Sequence, residues 1–115
     1  MGPISIDLIV LRSNSPEHLK DFYQSILSVQ FEHHTDHGAP HYACTLGQIT
    51  LEIYPSKNTS SVHDTVGFRV ESVKATIERV GRDNVYRPEE TSQFGIITML
   101  RDTDGRLVHL TQQPG

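Results

Sequence analysis

A chain of 115 residues, 36% hydrophobic and 21% charged, has the make-up of one globular domain that buries roughly two-thirds of its extended surface on folding. Fourteen acidic against ten basic residues leave a formal charge of −4, with no Lys/Arg cluster to offset it, which argues against a nucleic-acid partner or an acidic membrane surface. Cys44 is the only cysteine, so no intrachain disulfide forms, and the N-terminus lacks the basic start and long apolar core of a signal peptide; the expected location is cytoplasmic, with no membrane span.

Taken in order, Ile4 to Leu11 predicts a buried strand, with Leu8 and Val10 on one face and Ile9 and Leu11 on the other. Arg12 follows on the face of Leu8 and Val10. Ser15 as N-cap, Pro16 at the first helical position and Glu17 near the positive end of the dipole start a helix. Its apolar stripe is Leu19, Phe22, Tyr23 and Ile26. Val29 to Thr35 predicts a second strand, Asp36-His37-Gly38 a turn, and His41 to Leu46 the return strand. Gly47-Gln48 then turns the chain into Ile49 to Tyr54, where Ile49, Leu51 and Ile53 face the helix and Thr50, Glu52 and Tyr54 face away.

Residues 55–63 are polar and aperiodic, as a surface linker is. Beyond them the order repeats. Thr65 to Val70 predicts a strand with Val66, Phe68 and Val70 toward the core and Thr65, Gly67 and Arg69 opposite. Ser72 caps a second helix carrying Val73, Ile77 and Val80, and Gly81 ends it. Asn84 to Arg87 predicts a short edge strand interrupted by Pro88, and Glu89 to Gln93 a loop. Two strands flank the turn Asp102-Thr103-Asp104-Gly105, in which Asp102 bonds its own backbone two residues on and Gly105 takes a positive φ. In the last strand Val108 and Leu110 point one way, and Leu107, His109 and Thr111 the other.

Two copies of strand–helix–three strands make one α+β domain over residues 1–115, with modules at about 4–54 and 64–112 joined by the linker. Each curved sheet has one helix-covered face, so two such modules close around a cavity with their free faces. The groups aimed at it are Leu8, Val10, Arg12, Thr50, Glu52, Tyr54, Thr65, Gly67, Arg69, Leu107, His109 and Thr111. Apolar walls with a few polar groups suit a small organic molecule.

The chain resembles the vicinal oxygen chelate superfamily of glyoxalase I, fosfomycin-resistance enzymes, extradiol dioxygenases and bleomycin-resistance proteins. The resemblance rests on Ile6 to Arg12 before the helix with Phe22-Tyr23, on Leu51 to Tyr54, on Gly67 to Val73 and on Asp102 to Leu110. It implies two βαβββ modules forming a curved-sheet cavity. It also implies four metal-ligand positions, which here are Leu8, Glu52, Thr65 and His109. Leu8 and Thr65 stand where the family has histidine, and His109 where it has glutamate, so no cofactor is expected. A divalent metal, if bound, would fall to Glu52, His109 and His63, the last placed two residues before Thr65 on its face of the strand.

Two functions remain open. In one, the protein binds a small organic molecule without metal, as bleomycin-resistance members do, through Leu8, Arg12, Tyr54, Thr65, Arg69 and Leu107. In the other it is a lyase, isomerase, transferase or dioxygenase of the same superfamily, in which Glu52 and His109 act as an acid–base pair or hold a metal. A carboxylate half-buried in a sheet wants a partner, and His109, Arg12 and Arg69 are the candidates for Glu52. His33, His34, His37 and His41 are read as a solvated hairpin tip, and Cys44 as a small buried hydrophobe. Small size and open sheet edges favour a homodimer.

Overall fold

Ile9, Leu11, Leu51 and Ile53 alternate with polar or exposed residues, and that alternation builds the first sheet of the computed structural model, which describes residues 6–35, 38–56, 64–93 and 95–114. Strand β1 (Leu8–Ser13) pairs in parallel with β4 (Ile49–Pro55), and β4 pairs antiparallel with β3 (His41–Leu46), which pairs with β2 (Glu32–His34). The second sheet repeats the order: β5 (Thr65–Arg69), β8 (Leu107–Gln112), β7 (Gly95–Arg101) and β6 (Val85–Ser92). Helix α1 (Pro16–Leu27) serves the first sheet and α2 (Val73–Val80) the second. Most of the linker, together with His37 and His63, lies outside the described residues.

The repeat has a constant offset. Adding 57 to a residue of β1 or β4 gives its counterpart in β5 or β8: Leu8 opposes Thr50 as Thr65 opposes Leu107, Val10 opposes Glu52 as Gly67 opposes His109, and Arg12 opposes Tyr54 as Arg69 opposes Thr111. The helix caps at Ser15 and Ser72 obey the same spacing. One geometry has been written twice with different side chains.

The two helix starts differ locally. Ser72 Oγ accepts the Ala75 N–H at 3.1 Å, and Gln112 Oε1 takes the Val73 N–H, so α2 is capped as expected. Ser15 occupies the N-cap position of α1 but its side chain makes no cap bond; Ser13 Oγ instead accepts the Ser15 N–H at 3.0 Å. Gly81, at φ 96°, closes α2 as the sequence predicts.

Leu19, Tyr23 and Ile26 of α1, Leu51 and Ile53 of β4, Val73 and Ile77 of α2, and Leu100, Val108 and Leu110 of the second sheet are fully buried in one core. Each such aliphatic side chain contributes about 1.5–3 kcal/mol, more than a helix cap does. The helices also pack on one another, and Arg79 Nε of α2 donates to the Ser25 carbonyl of α1 at 2.9 Å. Tyr23 stands edge-on to Phe22 and to Phe68 of β5, which ties the modules together. Among the described residues, no helix is long and apolar enough to cross a membrane.

Two expectations are corrected. The strand expected over Val29 to Thr35 contracts to Glu32–His34, because a polar segment paired on one side only has little to bury. The edge strand does not stop at Pro88, and the loop expected over Glu89 to Gln93 is largely strand, since β6 runs through Ser92 with register shifts between Val85 and Arg87 and between Arg87 and Glu90. A proline that falls in such a shift on an edge strand costs the ladder nothing. The Thr98 hydroxyl, donating to the Arg87 carbonyl at 2.6 Å, holds the distorted segment to β7.

Candidate functional site

The free face of the first sheet is read off its register. Arg12 of β1 lies opposite Tyr54 of β4, and His41 of β3 opposes His34 of β2. The four side chains form a column across all four strands. The Tyr54 and His41 rings are 4.3 Å apart and within 9° of parallel, His34 stacks on His41 at 5.3 Å, and the Arg12 guanidinium lies 5.6 Å from the Tyr54 centroid. Next to this column is Glu52, whose Oε2 is 3.7 Å from His41 Nε2. Leu8 and Val10 complete the face on β1, 51% and 39% exposed. Together they make this face of β1 partly apolar.

On the second sheet the corresponding face carries Thr65, Gly67 and Arg69 of β5 and Leu107, His109 and Thr111 of β8. His109 sits between Gly67 and Met99 of β7. A cavity of about 230 Å³ opens there between β6 and β7, lined by Arg87, Glu90, Ile97, Met99 and His109. Gly67 leaves room beside the imidazole, since a methyl group there would meet His109 only at 3.7 Å. A larger groove of about 640 Å³ runs between the modules past Ile9, Leu27, Ile49, Phe68, Val70 and Arg79.

The structure therefore groups the expected site residues in two sets: Leu8, Arg12, Glu52 and Tyr54 on one sheet, and Thr65, Arg69, Leu107 and His109 on the other. No hydrogen bond or ion pair joins Glu52 to His109 among the described residues, and neither cavity includes both. The partner of Glu52 is His41, a residue the sequence places in a solvated hairpin tip. Its side chain is 12% exposed and caught between Tyr54 and His34. The signal was present in the turn. Gly47 takes a positive φ, and a two-residue turn at Gly47-Gln48 sets Leu46 opposite Ile49, which carries His41 to the level of Tyr54.

Of the four positions that the resemblance pairs with metal ligands, Leu8 offers no donor and Thr65 only a neutral hydroxyl, which leaves Glu52 and His109, on different sheets of the chain, as the two that could donate. No group of three or more His, Cys, Asp or Glu is arranged to hold an ion among the described residues. Cys44 is buried, and burial pushes its thiol pKa up, the opposite of an activated nucleophile.

The turn after β7 has a structural role. Asp102 Oδ1 accepts the Asp104 and Arg106 N–H groups, while Oδ2 receives Arg106 Nη1 at 2.6 Å and the Tyr23 hydroxyl at 2.8 Å. Burial and the adjacent carboxylate drive the Tyr23 phenol far above its usual range. Burial works against the Arg106 charge, but Asp102 outweighs it and the pKa of Arg106 rises. Arg106 Nη2 also donates to the Arg12 carbonyl at 3.3 Å, so this turn braces the strand that presents Arg12.

Two four-stranded sheets, each β-α-β-β-β with a parallel first and last strand, define the vicinal oxygen chelate fold of the glyoxalase and bleomycin-resistance proteins. Solved structures with this fold align over nearly the whole chain. TioX from a Micromonospora species has a TM-score of 0.74 at 16% identity, covering 96% of this chain and 99% of its own. TnmS3, an antibiotic binding protein from a Streptomyces species, has a TM-score of 0.71 at 20% identity, covering 99% of both chains. A glyoxalase/bleomycin resistance protein from Catenulispora acidiphila has a TM-score of 0.68 at 18% identity, covering 96% of this chain and all of its own. No family model and no curated protein matches the sequence.

Proposed function

We propose that the protein binds a small organic molecule on the free faces of its modules, without the family metal, and that it does so as a homodimer whose cavities pair the first module of one chain with the second module of the other. The observation that carries this reading is the ordered column of Arg12, Tyr54, His41 and His34 beside exposed Leu8 and Val10, a flat-sided and partly apolar wall. The description of TnmS3 as an antibiotic binding protein supports it by analogy of fold. Metal loading is disfavoured because Leu8 and Thr65 supply too little to a coordination sphere.

The test is calorimetric titration with a panel of aromatic natural products and simple aromatic acids and amides, with the intrinsic fluorescence of the four tyrosines as a second signal. Saturable binding near one ligand per cavity, weakened in Tyr54→Ala, is the expected result. Failure of every compound to bind would overturn the reading. The competing function, acid–base chemistry at Glu52, has one observation in its favour: a partly buried carboxylate 3.7 Å from an imidazole. Conversion of a bound compound, abolished in Glu52→Gln with binding intact, would establish it instead.

A further inference from the structure

The seven arginines of this chain sort by position. Arg82 and Arg106 are held by the carboxylates of Glu89 and Asp102, Arg79 by the Ser25 carbonyl, and Arg101 by the Gly105 carbonyl. Arg12, Arg69 and Arg87 are exposed, and among the described residues none has a carboxylate or a carbonyl on its guanidinium. Arg12 and Arg69 are counterparts in the repeat, each on the free face of its module's first strand.

Arg12 is the better defined of the two. Its guanidinium rests against Tyr54, which is fixed in turn by His41 and His34, so one side of the group is supported while its N–H donors meet no acceptor among the described residues. Val10 and Leu8 lie at two-residue steps along the same face, both exposed. An oriented planar cation at one end of an apolar strip is complementary to a flat apolar body with an anionic group at its edge. Glu52, beside this row, is 3.7 Å from His41 and forms no ion pair with Arg12.

We infer that the small molecule bound here is a planar aromatic acid, carrying an ionised carboxylate or acidic hydroxyl that pairs with Arg12 while its ring system covers Val10 and Leu8. This rests on the small-molecule reading above and narrows it to a ligand class.

Three probes of one shape separate the two: anthraquinone-2-carboxylate, its primary carboxamide and the 2-aminomethyl analogue, each titrated calorimetrically into the full chain. The wild type is expected to bind the carboxylate about tenfold or more tighter than the amide, with the ammonium compound weakest. Arg12→Met should weaken the carboxylate about tenfold or more and the amide by clearly less, closing the gap between the two. Arg12→Lys, which keeps the charge and loses the plane, should fall between. Arg12→Gln serves as the neutral variant should the methionine perturb the amide spectrum of the protein. Equal affinity for acid and amide in the wild type, equal weakening of both by Arg12→Met, or preference for the ammonium compound would each overturn the inference while leaving small-molecule binding in place. Absence of saturable binding by all three would remove the small-molecule reading for this class and the inference with it.

Discussion

Tyr23, in the first module, donates its hydroxyl to Asp102 of the second at 2.8 Å, a bond that spans 79 positions and is fully buried. It makes the module interface specific where apolar packing alone would tolerate sliding. Tyr23→Phe removes one of two side-chain donors to Asp102 Oδ2 and should cost about 1–3 kcal/mol. Asp102→Ala strands the buried Arg106 charge and should cost more, about 3–5 kcal/mol. Urea unfolding of the two single variants and the double variant checks this, and additive losses would deny the coupling.

Arg82 grips both oxygens of Glu89, at 2.6 and 2.7 Å, which joins the short 3-10 turn at Arg82–Asn84 to the distorted edge strand β6. Arg82's hydrogen bond is the main reason the Glu89 pKa falls to about 2. A carboxylate whose folded pKa is depressed stabilises the fold above its unfolded pKa, near 4.3, and that contribution disappears as pH falls through the folded value. Wild type and Glu89→Gln should therefore differ most in thermal midpoint at neutral pH and converge between about pH 4.5 and 2. The pair is exposed to solvent, so the difference should be small and should shrink in high salt.

Glu52 meets His41, not His109, within the chain. Glu52→Gln should consequently move the ring-proton NMR resonances of His41 and, through the stack, those of His34 and Tyr54. Unchanged His41 signals would show that the ion pair is not formed in solution.

Which module faces which is decided by mixing. If each cavity draws its first module from one chain and its second from the partner, Glu52→Ala and His109→Ala variants are each defective alone. Reassociated in equal amounts, half the dimers become mixed, and each mixed dimer has one intact cavity of two. About a quarter of the wild-type binding sites should return. Zero recovery, with mixed dimers verified by mass spectrometry, would place both modules of a cavity in one chain.

The sequence alone determined the element order, the apolar stripe of α1, the Ser72 cap, the Gly47-Gln48 turn and the inner and outer faces of β1, β4, β5 and β8. These follow from periods of two and 3.6 residues and from residues with local backbone preferences, all of which act over a few positions. The role of Ser13 as acceptor at the start of α1 is not legible in the sequence, because where its hydroxyl points depends on how β1 leaves the sheet. The full length of β6 is not legible either, because a proline reads as a stop until its neighbour across the sheet is known to shift register. The long-range choice was made by tertiary structure: Tyr23 with Asp102. Such partners depend on strand order and on how two modules dock. Residues far apart in the chain carry no mark of which carboxylate they will meet, so the repeat could be read directly, but the pairing across it could not.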